Sequence, residues 1–428
     1  MAEELSPAFF AGRRALLAEQ LPSGSVAVIF AGKRKQVSED WAYPFTPNKS
    51  YYYFTGLSNR NGIFVIQKNA PSSRTKSRGE WVESEQFLFV DRPEKYREIY
   101  EGIMMSASDY SDLTGIGNVR YTDGFDAFLR TLFHGDRVAE LYVDHKNRIF
   151  DPDANAGVEK FIENIRKHHP FIQIKNIRSI VGEMRKIKAP EEIALMRKAA
   201  AYTVEGVNRL AAKIKPGVMT HALQAEFDYY LKKRGLSGVA FQSVITTGND
   251  TVWLHYEPSG ELKAGGLVLV DIGAEYNYYA SDICRIYPVS GTFTDIQRYY
   301  YESALAANER IIERLAPGLQ MEEIASIGDQ VLIERCRNKG LITKDEEIRN
   351  YLNHGIYHFI GLDSHDVGET CALEPGMAVS VEPGLYIKEL GIGVRVEDNI
   401  VITENGNINL TQNLIKSVGD IENFMAHG

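Results

Sequence analysis

Four acidic residues interrupt runs that otherwise read as buried β-strand. Asp271 stands near the end of GLVLVDIG (266–273), and Asp282 lies in YYASDICRIYPV (278–289). Glu382 follows the apolar start of MAVSVEPGLYI (377–387), and Glu397 breaks VRVEDNIVIT (394–403). A lone carboxylate among Val, Ile and Leu is costly unless it is paired, solvated or bound to a metal. Any one of these acids could face water on an edge strand, but all four doing so is a poor fit to their surroundings. If they converge, they repel: two carboxylates ~4 Å apart cost roughly 4 kcal/mol at an effective dielectric near 20. Two divalent cations would neutralise all four.

Histidines point the same way. Three of the ten, His354, His358 and His365, fall within NHGIYHFIGLDSHD (353–366). His354 and His358 are four apart, so a helical turn would place them on one face. His255, in TVWLHYEP (251–258), is weak evidence taken alone. His134, His145, His168 and His169 are scattered and read as structural or surface residues. An oxygen-rich site with imidazole among its donors favours a hard or borderline ion; Mn2+ fits best, with Co2+, Fe2+ or Zn2+ as alternatives. Two such ions about 3.5–4 Å apart polarise a carbonyl and support amide hydrolysis without a Ser or Cys nucleophile. No G-x-S-x-G, H-E-x-x-H or P-loop motif competes with this reading.

At 428 residues the chain is too long for one ordinary core, so two domains are expected. Residues 1–175 alternate helix and strand signals: helices over 8–21, 125–133 and 158–169, and strands over 25–32, 51–56, 62–67, 86–90 and 139–144. The polar PSSRTKSRGE (71–80) reads as an exposed hairpin loop. This alternation predicts an α/β domain with no chemical constellation of its own. Residues 176–428 form a second, α+β regime. Long helices are expected over 185–214, 221–235, 296–315 and 321–340, and strands over 243–248 and the acid-bearing runs. An acid-bearing strand pair follows helices in the middle of this domain and another closes it, a loose internal symmetry.

A net charge of −9 argues against nucleic acid as a partner. No segment has the ~20 apolar residues that would span a bilayer, and the N-terminus lacks a secretory apolar core. Cys284, Cys336 and Cys371 are odd in number and widely spaced, which suits a reducing, cytoplasmic compartment.

The order and spacing of DIGAEYNYYASD, HGIYHFIGLDSHD, SVEPGLYI and VRVEDNIVIT resemble the aminopeptidase P and prolidase group of metallopeptidases. EMRKIKAPEEIALMRKA resembles the segment that opens the catalytic domain there, and SVAVIFAG with YPFTPNKSYYYFTGL resembles that group's N-terminal domain. The resemblance covers nearly the whole chain. It implies a mixed-sheet N-terminal domain followed by a pita-bread catalytic domain. It implies Asp271, Asp282, His358, Glu382 and Glu397 as ligands of two metal ions, with Asp282 and Glu397 bridging and Glu382 shuttling a proton. His255 and His365 would position the substrate, with His354 and Arg395 in support and Tyr386 lining the pocket. The implied substrates are short peptides with proline second, cut before the proline, and the implied assembly is a homodimer or homotetramer.

Three departures stand out. The loop DVGETCALE (366–374) is short and lacks an arginine that many aminopeptidases P carry for the substrate. YIKELG (386–391) is compact, which would open one wall of the cleft. Thr46 and Ser50 stand where the family often has Arg and Asp. These keep an Xaa-Pro dipeptidase open as an alternative, and a metal-bearing but inactive binding protein as another. The creatinases, which share the fold and lose the ligands, fit poorly because all five ligands are present. Cys284 stands two residues after Asp282, where threonine is usual, so an oxidation-sensitive thiol near the metals is a further expectation, weighed against a small buried residue.

Overall fold

The computed structural model describes residues 5–69, 75–77, 80–82, 84–134, 138–146, 155–257 and 260–427. It divides into two compact units, Met1–Gly182 and Glu183–Gly428.

The first unit is built on a six-stranded mixed sheet. Its order is Asn118–Tyr121, Ser84–Val90, Ile63–Lys68, Ser25–Phe30, Glu140–Val143, Gln173–Asn176. Ser25–Phe30 pairs antiparallel with Ile63–Lys68 and parallel with Glu140–Val143. Its side chains are buried on both faces, which is why it reads as an unbroken apolar run. Gln173–Asn176 closes the sheet in parallel with Glu140–Val143, so the first unit continues to Gly182.

One expected strand is a helix. YYYFTG (51–56) forms the end of the helix Lys49–Thr55. The aromatic run favours strand, but its ends favour helix. The Asn48 side chain accepts from Ser50 N at 2.8 Å, and Gly56 ends the helix at φ 70. Ser50 is buried inside this helix. The loop reading of 71–80 falls largely outside the described residues, apart from the short antiparallel strands Thr75–Ser77 and Glu80–Val82.

The second unit carries its helices around small antiparallel sheets. Val244–Thr247, Leu267–Ile272 and Ile283–Pro288 form one sheet. Tyr357–Phe359, Ala378–Val381, Asp398–Thr403 and Gly406–Asn409 form another. Gly384–Ile387 and Ile392–Arg395 make a separate hairpin. The helices are Pro190–Ala211, Thr220–Lys233, Asp295–Arg314, Met321–Asn338 and Val418–His427. The helix expected from 185 is divided: Arg178–Lys186 ends, and Pro190 starts a new one. Ala189 is extended at ψ 160, as a residue before proline prefers, and its N–H donates to Glu192 at 2.8 Å.

The acid-bearing runs are also not continuous strands. Glu382 and Pro383 separate Ala378–Val381 from Gly384–Ile387, which belong to different sheets. Glu397 separates Ile392–Arg395 from Asp398–Thr403 in the same way. Asp282 lies between Tyr279–Ala280 and Ile283–Pro288. Asp282, Glu382 and Glu397 therefore sit at corners where the chain leaves one sheet for another, while Asp271 lies within Leu267–Ile272, and Pro383 removes a ladder donor beside Glu382.

Among the described residues, no helix is long and apolar enough to cross a membrane. Gly56 tests the packing of the first unit, since a Cβ there would come within 2.5 Å of the Phe10 ring on a left-handed backbone. Gly56→Ala is expected to cost about 2 kcal/mol or more, because strain and overlap add. A drop in the thermal midpoint checks this; an unchanged midpoint contradicts the packing described.

Candidate metal centre

Two ladders converge on one point. Asp271 is the penultimate residue of Leu267–Ile272, paired opposite Cys284 of the neighbouring strand. His358 is the middle residue of Tyr357–Phe359 and pairs opposite Ser380, which pairs in turn opposite Asn399. From these frames the side chains of Asp271, Asp282 and Glu397 come within 4.8 Å of one another, as do those of His358, Glu382 and Glu397. A third group joins Asp282 to His358 and His365.

The imidazole of His358 shows what the cluster lacks. Its Nδ1 lies 3.0 Å from the Phe359 carbonyl, which can only accept, so Nδ1 carries the proton. Nε2 then faces Asp282 at 3.8 Å, Glu382 at 3.7 Å and Glu397 at 3.7 Å. These distances are too long for hydrogen bonds. Both His358 Nε2 and Asp271 Oδ1 are buried without a hydrogen-bond partner. A buried imidazole nitrogen set among three carboxylates, beyond hydrogen-bond reach of each, is placed to share cations with them. The donor set, four carboxylates and one imidazole, suits divalent ions.

The proton affinities report the same strain. Burial pushes Asp271 up to about 6, against the pull of Arg395. Burial, with Glu397 and Asp271 nearby, pushes Asp282 well above the carboxylate range. Burial and Glu397 take Glu382 up to about 8. Burial works downward on His358, but Glu397 and Glu382 outweigh it and hold it up at about 9. Only Glu397 is lowered: burial opposes this, and His358 and Arg395 overcome it. Without added positive charge the cluster holds protons in place of cations.

The family models match this chain along most of its length. The aminopeptidase P N-terminal domain matches residues 10–142, and metallopeptidase family M24 matches residues 194–404. The chain is 32% identical to the Xaa-Pro aminopeptidase of Escherichia coli (strain K12), across 99% of this chain and 98% of that protein. The chain belongs to the aminopeptidase P family of metallopeptidases. A Bacillus anthracis structure assigned as an aminopeptidase P superposes with a TM-score of 0.91 at 34% identity, covering 99% of both chains. Aminopeptidase P from E. coli in a low-pH form superposes at 0.87 with 31% identity, again over 99% of both. The chain is thus a metallo-exopeptidase with an N-terminal domain ahead of a pita-bread domain, and divalent metal ions belong to its chemistry.

The other residues singled out in the sequence fall around the cluster. His358 lies on the strand Tyr357–Phe359 and His354 in the bend ahead of it, so the helical turn expected to put them on one face does not form. The Tyr386 hydroxyl lies 2.9 Å from His354 Nε2 and receives Arg395 Nη1 at 3.2 Å. Arg395 also pairs with Asp271. His354 Nδ1 is 3.6 Å from Glu382 Oε2, and burial lowers its pKa to about 4. His365 stacks on His358 with ring centroids 3.9 Å apart, and burial lowers it to about 4 as well. His255 is not among the groups within ligand distance of one another; it is exposed, and its charge acts on His365. Cys284 is fully buried, and burial raises its thiol well above the usual range. A protonated, shielded thiol is a poor target for oxidants, so the bland reading fits better. Cys371 accepts from Lys186 Nζ at 3.4 Å.

Several supporting residues were missed in the sequence. Asn399 accepts from Asp282 N at 2.9 Å and donates to Asp282 O at 2.6 Å, clamping that backbone from across the site. Ser380 Oγ donates to Glu397 Oε1 at 2.7 Å. Arg285, fully buried, donates to the Glu397 carbonyl at 2.6 Å and pairs with Asp398 at 2.6 Å. Lys416 Nζ pairs with the other Asp398 oxygen at 2.9 Å. The signal was available: Glu397 and Asn399 alternate along one face, and Asp398 is a second acid in an apolar run.

Burial alone would push Asp398 up, but Arg285 and Lys416 outweigh it and bring it to about 2. A depressed acid stabilises the fold above its ordinary pKa and loses that contribution as pH falls toward 2. Asp398→Asn leaves Arg285 buried without its counter-charge and is expected to cost about 3–5 kcal/mol at neutral pH. Thermal unfolding of the two forms against pH checks this: the gap narrows toward pH 2, and a gap that widens on acidification contradicts the pairing.

Proposed function

We propose that the chain is an Xaa-Pro aminopeptidase that holds two divalent metal ions on Asp271, Asp282, His358, Glu382 and Glu397. The observation that carries the reading is His358 Nε2, buried without a hydrogen-bond partner and facing Asp282 at 3.8 Å and Glu382 and Glu397 at 3.7 Å. Glu397 belongs to both carboxylate groups, and Asp282 links one of them to His358, which suits these two acids to bridging. Mn2+ matches the oxygen-rich donors best.

Bound there, such ions acidify water and polarise a carbonyl. The protein supplies the rest. His255 and His365 steady the scissile carbonyl and the proline side of the bond. The amide before proline has no N–H, and its nitrogen must gain a proton before it leaves as an amine. Glu382, whose proton affinity burial raises, carries that proton. His354 lies beside Glu382, with Nδ1 on the Gly355 carbonyl, and Tyr386, itself bonded by Arg395, fixes its Nε2 side. The substrates are short peptides with proline in second position, cut before the proline.

We further propose a homodimer or homotetramer working in the cytoplasm. The exposed side chains of Tyr96, Ile99 and Tyr100 on the helix Lys95–Glu101, with Ile103 just beyond its end, support an interface between copies. The absence of disulfides among its three cysteines supports a reducing compartment.

Elemental analysis of the metal-replete protein, with hydrolysis of Xaa-Pro peptides before and after chelation, tests the reading. About two ions per chain and activity lost on chelation are expected; fewer than one ion per chain overturns it. Asp282→Asn removes a bridging charge and should lower turnover by more than about a hundredfold, beyond what loss of an outer-shell partner does.

A further inference from the structure

The hairpin that serves the metal centre has a second end. Gly384–Ile387 and Ile392–Arg395 bring Tyr386 and Arg395 to the cluster, while the turn Lys388–Leu390 closes the tip. That tip lies flat on the turn Gly248–Val252. Gly393 N donates to Thr251 Oγ1 at 2.9 Å, and a Cβ on Gly393 would come within 1.9 Å of the Thr251 carbonyl. Gly391 is left-handed at φ 61, and a Cβ there would overlap the Asn249 side chain. The close packing fixes Lys388 over Trp253, with Nζ 5.0 Å from the ring centroid. Trp253 is 49% exposed, Leu390 49% and Tyr256 39%. An exposed aromatic ring with a cation over it is therefore held open to solvent, with exposed Leu390 and Tyr256 close by in the chain.

Its place in the chain ties this pair to the reaction. Trp253 is two residues before His255, and Lys388 two residues after Tyr386, so each stands close in the chain to a group that serves the reaction. A peptide steadied by His255 has two directions in which to leave the centre. One ends in the free ammonium of the first residue, the other in the carboxylate of the last. Lys388 repels the first and attracts the second. Of the acids near it in the chain, Glu257 accepts from Gln242 at 3.3 Å.

We propose that Trp253 and Lys388 form the subsite for the residue after proline. Trp253, Leu390 and Tyr256 take an apolar side chain, and Lys388 Nζ takes the terminal carboxylate of a tripeptide. The inference rests on the Xaa-Pro reading above and sharpens it toward apolar-ended tripeptides over dipeptides. Lys388 thereby supplies a cation that the short loop 366–374 does not.

The test uses the metal-loaded protein with Ala-Pro-Leu, its C-terminal amide, and Ala-Pro-Gly. An exposed charge contact is worth up to about 1 kcal/mol, so the acid should be favoured over the amide by roughly threefold to fivefold in kcat/KM. The preference should lie in KM and shrink at high salt. Lys388→Met should abolish it and Lys388→Arg keep it, while Trp253→Ala should erode the preference for Leu over Gly. An acid-to-amide ratio unchanged in Lys388→Met, with peptides still cleaved, overturns the subsite and leaves the peptidase standing. No cleavage of any Xaa-Pro peptide by the loaded protein overturns both.

Discussion

Buried like charge is the constraint around which the second unit is arranged. Asp271, Asp282, Glu382 and Glu397 lie close together in a site with little water, and the cations the protein itself provides are Arg395 and a histidine. Arg395 serves Asp271 and leans on Glu382, leaving Asp282 and Glu397 across from the imidazole of His358. Such an arrangement stores proton affinity. The raised acids and the raised His358 are the same repulsion seen from different atoms, and two divalent ions would relieve it in one step.

A site under that repulsion must be held from behind. Asn399 grips the backbone of Asp282, Ser380 orients Glu397, and Arg285 fastens the Glu397 carbonyl while pairing with Asp398. These contacts join the sheet that carries Asp271 to the sheet that carries His358. The two halves meet through hydrogen bonds that fix direction, where apolar packing alone would fix only distance.

The sheet-to-sheet corners explain how one hairpin serves two purposes. Glu382 and Glu397 occupy the corners where the chain enters and leaves that hairpin, so their carboxylates are free of any ladder and point inward. The strands continue outward to a tip pressed against the turn before His255. Chemistry at one end and recognition at the other are thus a few residues apart on a stiff element.

Much of this was legible in the order of residues. An acid inside Val-rich sequence is costly wherever the chain goes, so Asp271, Asp282, Glu382 and Glu397 announced a shared site before any coordinates, and the spacing of the motifs named the family. Local sequence misled where two local preferences competed. YYYFT reads as strand by its side chains, yet Asn48 and Gly56 cap it as a helix, and His354 and His358, four apart, suit one helical face although His354 lies in a bend ahead of a short strand. The outer layer was out of reach for a different reason. Asn399 reaches Asp282 across 117 positions and Arg285 reaches Asp398 across 113, and although Asp398 and Asn399 stand out locally, nothing local names their partners. Residue chemistry by itself determined that cations are required here. Only the tertiary structure decided which side chains hold the acids in place and that Lys388 comes to rest on Trp253, because those contacts depend on how separate sheets pack.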